Sequence, residues 1–177
     1  MTDTETRYVQ IYTGLGKGKT TAALGQAVRA AGSELHTLVI MFMKDFPYGE
    51  LRALKVLEEY ITIERYGNDE FVLQKTPPSA GDKQTAAEAL QRARMAMLSG
   101  DYDIVILDEI CVAHYFKLVS ERQVLDLIDQ RPSSVELILT GRFCPQSWLD
   151  RADLVTEMTE LKHYYSQGVL ARKGFES

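Results

Sequence analysis

The chain has 177 residues, and its 20 Lys and Arg against 25 Asp and Glu leave a formal charge of −5 at pH 7. That length suits one domain with a sizeable core, and 45% apolar with 25% charged residues excludes a disordered, collagenous or coiled-coil chain. The acidic surplus lacks the excess of Lys and Arg by which phosphate backbones and anionic membranes are held, so neither nucleic acid nor membrane is an expected partner.

In chain order, residues 1–7 carry neither the basic and apolar regions of a secretory signal nor the Arg-rich character of a transit peptide. Residues 8–12 read as a first strand. A glycine-rich turn follows, and after Gly18 a helix is expected, with Ala23, Ala27, Ala30 and Ala31 along one face and Gly32 as its stop. Strands are expected at 37–42 and 60–65. The run 38–43 is the longest strongly apolar one, far short of the roughly 20 residues of a membrane-spanning helix. Residues 67–81, with Asn68, Pro77, Pro78 and Gly81, read as a long loop of the kind that is functional or mobile.

A longer helix is expected at about 82–99, where Ala86, Leu90, Ala93 and Met97 recur every three or four residues and Gly100 ends the pattern. A strand at 104–107 comes next. Ser120 with Gln123 then makes a capping-box pattern, opening a helix that finishes before Pro132. The last two strands are expected at 135–139 and 154–157. Short β-branched runs alternating with helical stretches imply an α/β fold, with a mostly parallel sheet of about six strands and helices on both faces. Cys111 and Cys144 are too few for a disulfide framework or a four-cysteine zinc site and suit a reducing cytoplasm.

The strongest chemical signal is Thr13-Gly14-Leu15-Gly16-Lys17-Gly18-Lys19-Thr20-Thr21, placed directly between a strand and a helix. Glycines let successive backbone N–H groups converge on phosphate oxygens, and the helix N-terminus adds partial positive charge. Lys19 neutralises phosphate, and Thr20 offers a hydroxyl to Mg²⁺. The pattern varies on GxxxxGK[ST], with Thr13 at the first glycine and a glycine one position later. Ile104-Val105-Ile106-Leu107-Asp108-Glu109 is an apolar strand ending in two carboxylates, suited to holding Mg²⁺ beside a nucleotide. Together they make a P-loop NTPase-like domain. Thr140-Gly141-Arg142 closes another strand at the same edge, where Arg142 is a candidate phosphate or substrate contact. His36, His114 and His163 show no metal-ligand spacing. These residues alone imply ATP or GTP binding with Mg²⁺ and leave the reaction open.

The stretch from Thr13 to Ala23, with Ala30-Ala31-Gly32 behind it, closely resembles the nucleotide loop of the P-loop ATP:corrinoid adenosyltransferases. The likeness extends through Phe42-Met43-Lys44 and Gly49-Glu50-Leu51, the acidic strand Tyr102 to Ile110, and Leu139-Thr140-Gly141-Arg142. It continues in Ala152 to Met158 and in Lys162-His163. The resemblance implies transfer of the 5′-deoxyadenosyl group of ATP to the Co(I) of a reduced corrinoid, with release of triphosphate, in cobalamin biosynthesis or salvage. It implies that Gly14, Leu15, Gly16, Lys17, Gly18, Lys19, Thr20 and Thr21 hold the nucleotide, with Arg29 near it. Lys19, Thr20 and Glu109 would carry the reaction, and Thr20, Asp108 and Glu109 would bind Mg²⁺ or Mn²⁺.

Family members that act on complete cobalamin carry a Phe-x-Trp pair, thought to displace the lower axial ligand of cobalt. The matching stretch here is Phe71-Val72-Leu73, with leucine at the tryptophan. Lys44-Asp45-Phe46 and Cys111 also depart from the family pattern. Phe71 is the corrinoid contact that the resemblance implies, and a flavoprotein reductase and a homodimer are the partners it implies. Two other readings fit the nucleotide loop: an ATPase or small-molecule kinase cutting at the γ-phosphate, and a non-catalytic module that ATP switches for binding a partner.

Overall fold

The computed structural model describes residues 6–44, 49–68 and 70–175. Six strands form one sheet: β1 (Val9–Thr13), β2 (Thr37–Phe42), β3 (Ile61–Tyr66), β4 (Ile104–Asp108), β5 (Glu136–Thr140) and β6 (Leu154–Glu157). Between them lie α1 (Lys19–Ala31), α2 (Gly49–Ala53), α3 (Glu70–Leu73), α4 (Ala80–Ser99), α5 (Ile110–Tyr115), α6 (Glu121–Asp129) and α7 (Gln146–Leu149). The strand order is β3-β2-β4-β5-β1-β6, and every pairing is parallel. The expected strands are all present, shifted by a residue at most at either end.

Alternation of side chains along each strand divides the interior into two layers. Leu38, Ile40, Val105, Leu107, Leu137 and Leu139 face α4, α5 and α6, whereas Val39, Met41, Ile104, Ile106 and Ile138 face α1. A strand that feeds both layers must be apolar at every position. β2 is buried throughout, while β6, at the sheet's edge, is exposed throughout. The alanines predicted on α1 are all buried, and their small size lets the helix backbone lie close to the sheet. On α4 the predicted Ala86, Leu90, Ala93 and Met97 are buried in the same way.

The segment 67–81 departs from the single loop expected of it. Asn68 accepts a hydrogen bond from the Glu70 N–H at 3.0 Å and opens the short helix α3. α4 begins at Ala80, before the expected start at 82, because Ser79 and Asp82 form a reciprocal capping box. The Ser79 hydroxyl accepts from the Asp82 N–H at 3.1 Å, and the Asp82 carboxylate accepts from the Ser79 N–H at 2.7 Å. Gly81 lies in the first helical turn, where that box offsets its weak helix propensity. The box expected at Ser120 and Gln123 opens α6.

Candidate active site

Parallel strands bring their carboxyl ends, and the loops that follow them, to one edge of the sheet. β1 ends at Thr13, whose hydroxyl donates to the Gly141 carbonyl at 2.9 Å and ties the glycine-rich loop to the end of β5. The chain then runs directly beneath the segment after β6. The Met158 N–H donates to the Thr13 carbonyl at 2.8 Å, and the Gly16 N–H donates to the Met158 carbonyl at 2.7 Å. A Cβ at Gly14 would lie 2.4 Å from that carbonyl oxygen, and one at Gly16 would lie 2.7 Å from it. No side chain fits there. Gly18 caps α1 at φ +115°, a left-handed conformation that glycine adopts without strain.

Lys19 is buried and folded back over the loop, with Nζ donating to the carbonyls of Gly14 and Gly16 at 2.8 Å each. Burial lowers its pKa below that of an ordinary lysine, against the opposing attraction of Glu109. Beneath the start of α1, one oxygen of the Asp108 carboxylate accepts from the hydroxyls of Thr20 at 2.8 Å and Thr140 at 2.7 Å. Its other oxygen holds the Lys44 ammonium at 2.5 Å, and Lys44 also donates to the Thr20 hydroxyl at 3.1 Å. Asp108 is 1% exposed and Lys44 is 13% exposed, so this ion pair is largely dry.

The next residue, Glu109, holds φ +63°, strained for a side chain of its size, and its N–H donates to the Thr140 hydroxyl at 2.9 Å. Its pKa is raised by burial first and by the neighbouring Asp108 second, while Lys44, Lys19 and Arg142 pull it down. A cavity of about 680 Å³ opens above these groups. Glu109 and Arg142 form part of its wall beside the loop, and Glu160, His163 and Phe175 close it from the C-terminal segment. Lys17 reaches across to that segment, donating to the Phe175 carbonyl at 2.5 Å.

The arrangement can take a polyanion. Backbone N–H groups at a helix N-terminus, two loop lysines and Arg142 offer positive charge from several sides. It also suits a hard divalent cation. Among the described residues there is no group of three or more His, Cys, Asp or Glu able to hold a metal alone. Mg²⁺ is commonly held by one or two protein oxygens, with waters and phosphates completing its octahedron. The Thr20 hydroxyl and the Asp108 carboxylate already share one cation, the Lys44 ammonium.

A family model described as ATP:corrinoid adenosyltransferase BtuR/CobO/CobP matches residues 5–177. The chain belongs to the ATP:corrinoid adenosyltransferase family. The corrinoid adenosyltransferase of Escherichia coli K12 is 31% identical over 167 residues, which cover 94% of this chain and 83% of that one. Corrinoid adenosyltransferase CobA of Salmonella typhimurium is 30% identical over the same shares. The corrinoid adenosyltransferase of Pseudomonas aeruginosa is 30% identical, covering 94% and 81%.

Of the site residues expected from the sequence, Leu15, Gly16, Lys17, Gly18, Lys19, Thr20, Thr21, Glu109 and Arg142 line the cavity. Gly14 lies under the loop against Met158, and Asp108 lies beneath Thr20. Two expectations fall elsewhere. Arg29 is exposed in the last turn of α1, about 15 Å along the axis from Lys19 at 1.5 Å per residue, and is absent from the cavity wall. Phe71 is buried in the core, edge-on to Phe116 at 5.6 Å, and does not line the cavity. The side chains of Val72 and Leu73 lie outside the described residues, as do Asp45 and Phe46. Lys44, Met158 and the closing C-terminal residues were missed as parts of the site. Lys44 and Met158 carried a usable signal, since each follows the carboxyl end of a strand.

Proposed function

We propose that this chain transfers the 5′-deoxyadenosyl group of ATP to the cobalt of a reduced corrinoid, giving an adenosylated cobalamin or cobinamide-type product. The electron pair of Co(I) attacks the ribose C5′, the Co–C bond forms, the C5′–O bond breaks, and the electrons of that bond leave on triphosphate. Cobalt(I) is nucleophilic without deprotonation, so the protein need supply only position and stabilisation of the departing charge. The observation that carries this reading is a phosphate cradle flanked by Lys19, Lys17 and Arg142, in a chain of the corrinoid adenosyltransferase family.

In this reading the backbone from Gly14 to Gly18, with Leu15 and Thr21 beside it, holds the triphosphate. Lys17 and Lys19 neutralise its oxygens, and Lys19 exchanges the Gly14 and Gly16 carbonyls for phosphate. Thr20, Asp108 and Glu109 would hold Mg²⁺ or Mn²⁺, which when bound neutralises charge on the leaving group. Arg142 completes the charge around the phosphates. Co(I) is a strong reductant, so a flavoprotein reductase is the proposed electron source, with a homodimer acting in the cytoplasm. The test mixes the protein with MgATP and chemically reduced cob(I)alamin without oxygen or light, follows the corrinoid spectrum and identifies the phosphate product. Adenosylcobalamin with an equal amount of triphosphate is expected; ADP without a Co–C bond would instead point to a kinase or ATPase.

A further inference from the structure

Beside the cavity, at the same edge of the sheet, two large aromatic side chains stand in solvent. Tyr115, the last residue of α5, is 55% exposed, and Phe143, in the loop after β5, is 51% exposed. Their rings stack with centroids 4.4 Å apart and planes 29° from parallel. Tyr115 also meets Phe116 edge-on at 5.3 Å, and Phe116 meets the buried Phe71 edge-on at 5.6 Å. The exposed pair is thus the outer end of an aromatic row rooted in the core. Phe71, expected at the corrinoid, is the root of that row, and the surface belongs to Tyr115 and Phe143.

The backbone at Phe143 is unusual for such a residue. It holds φ +61°, a region that bulky side chains rarely occupy and glycine occupies freely. The stack on Tyr115 covers one face of the ring, and about half of the residue stays in water. Strain kept at an exposed side chain next to a site points to a ligand. The ligand must be large and flat with apolar faces, because a stacked pair of rings offers area and few hydrogen bonds.

Resting on the adenosyl-transfer reading, we infer that Tyr115 and Phe143 form the platform on which the corrin macrocycle of the second substrate is seated. Position selects this occupant. Phe143 directly follows Arg142, and α5, which Tyr115 ends, is preceded at its N-terminus by Glu109; both Arg142 and Glu109 line the nucleotide cavity. Transfer from C5′ to cobalt requires the two substrates to meet at one edge of the sheet, and this pair is an exposed aromatic surface adjoining the cavity there. A corrin offers a broad ring for stacking, with polar amides at its rim.

The test measures binding and turnover separately in Tyr115→Ala, Phe143→Gly and the ring-retaining Phe143→Tyr. Cob(II)alamin binding in the presence of MgATP is read by electron paramagnetic resonance, which needs no turnover. Tyr115→Ala and Phe143→Gly are each expected to weaken that binding and raise the corrinoid KM by about tenfold, as loss of a stacked ring implies. The KM for ATP should stay within about twofold, because the loop is untouched. Phe143→Tyr should bind as the parent does. Phe143→Gly should melt close to the parent, since relief of the backbone offsets the lost ring stack, so weak binding there is not unfolding. Unchanged cob(II)alamin affinity in both ring-deleting variants would overturn the inference. If they instead sediment as a smaller species with that affinity unchanged, the pair is an interface between copies of the chain. Failure of the adenosyl-transfer reading looks different: the parent itself would make no Co–C bond.

Discussion

The Lys44 to Asp108 contact gives the most direct physical test of the site. Replacing Lys44 by Met keeps most of the side-chain volume and removes the cation 2.5 Å from a carboxylate that is 1% exposed. Breaking a buried ion pair from one side costs about 3–5 kcal/mol, because the remaining charge is left dry and unpaired. The Thr20 and Thr140 hydroxyls still donate to one oxygen of Asp108, which places the loss near the lower end, at about 3 kcal/mol. For a chain of this size each kcal/mol moves the melting temperature by about 2–4 °C, so Lys44→Met should melt about 6–12 °C below the parent in EDTA. Mg²⁺ in excess should restore part of that loss, and should raise the parent less, since there the ion must first displace the ammonium. Circular dichroism melts of both proteins, with EDTA and with MgCl₂, give the comparison. A fall below about 2 °C in EDTA, or equal Mg²⁺ responses, would refute the idea that Lys44 holds the cation position.

Other outcomes follow from the same geometry. Lys19→Ala should lower kcat/KM for adenosyl transfer by at least about 100-fold with the fold retained, and full activity would remove Lys19 from the cradle. Gly16→Ala places a methyl 2.7 Å from the Met158 carbonyl oxygen and should cost about 1–3 kcal/mol along with most ATP affinity; calorimetric titration showing the parent Kd would contradict this. Trp148 is fully buried, and its Nε1 has no hydrogen-bond partner among the described residues. Trp148→Ala should therefore cost about 3–5 kcal/mol in urea titrations, and Trp148→Phe markedly less, because no hydrogen bond is lost with the indole. Buried Cys111 should resist a thiol reagent that reaches the half-buried Cys144, with both reacting after denaturation.

Local rules made the sheet readable. β2 and β4 are apolar at almost every position because both their faces are covered, and that pattern survives without any knowledge of neighbours. Pro77, Pro78 and Gly81 misled for an equally local reason. They punctuate a loop unless Ser79 and Asp82 are weighed as a cap, and two reciprocal hydrogen bonds outweigh one helical glycine. The glycine-rich turn between β1 and α1 was legible because its residues are contiguous. The Lys44 contact was not, since it joins residues that are distant in sequence. Arg29 and Phe71 were taken from likeness alone, and burial and helix length put them outside the cavity wall.

The hydrogen bonds from Met158 to the nucleotide loop also set an order of events during synthesis. Gly14 and Gly16 leave the ribosome early, but the backbone that braces them arrives about 140 residues later, roughly 7–30 s at ~5–20 residues per second. In that interval the nascent chain holds the loop's sequence without its wall. A half-made chain therefore has no finished grip on ATP, and nucleotide capture becomes a property that the polypeptide acquires only as translation nears its end.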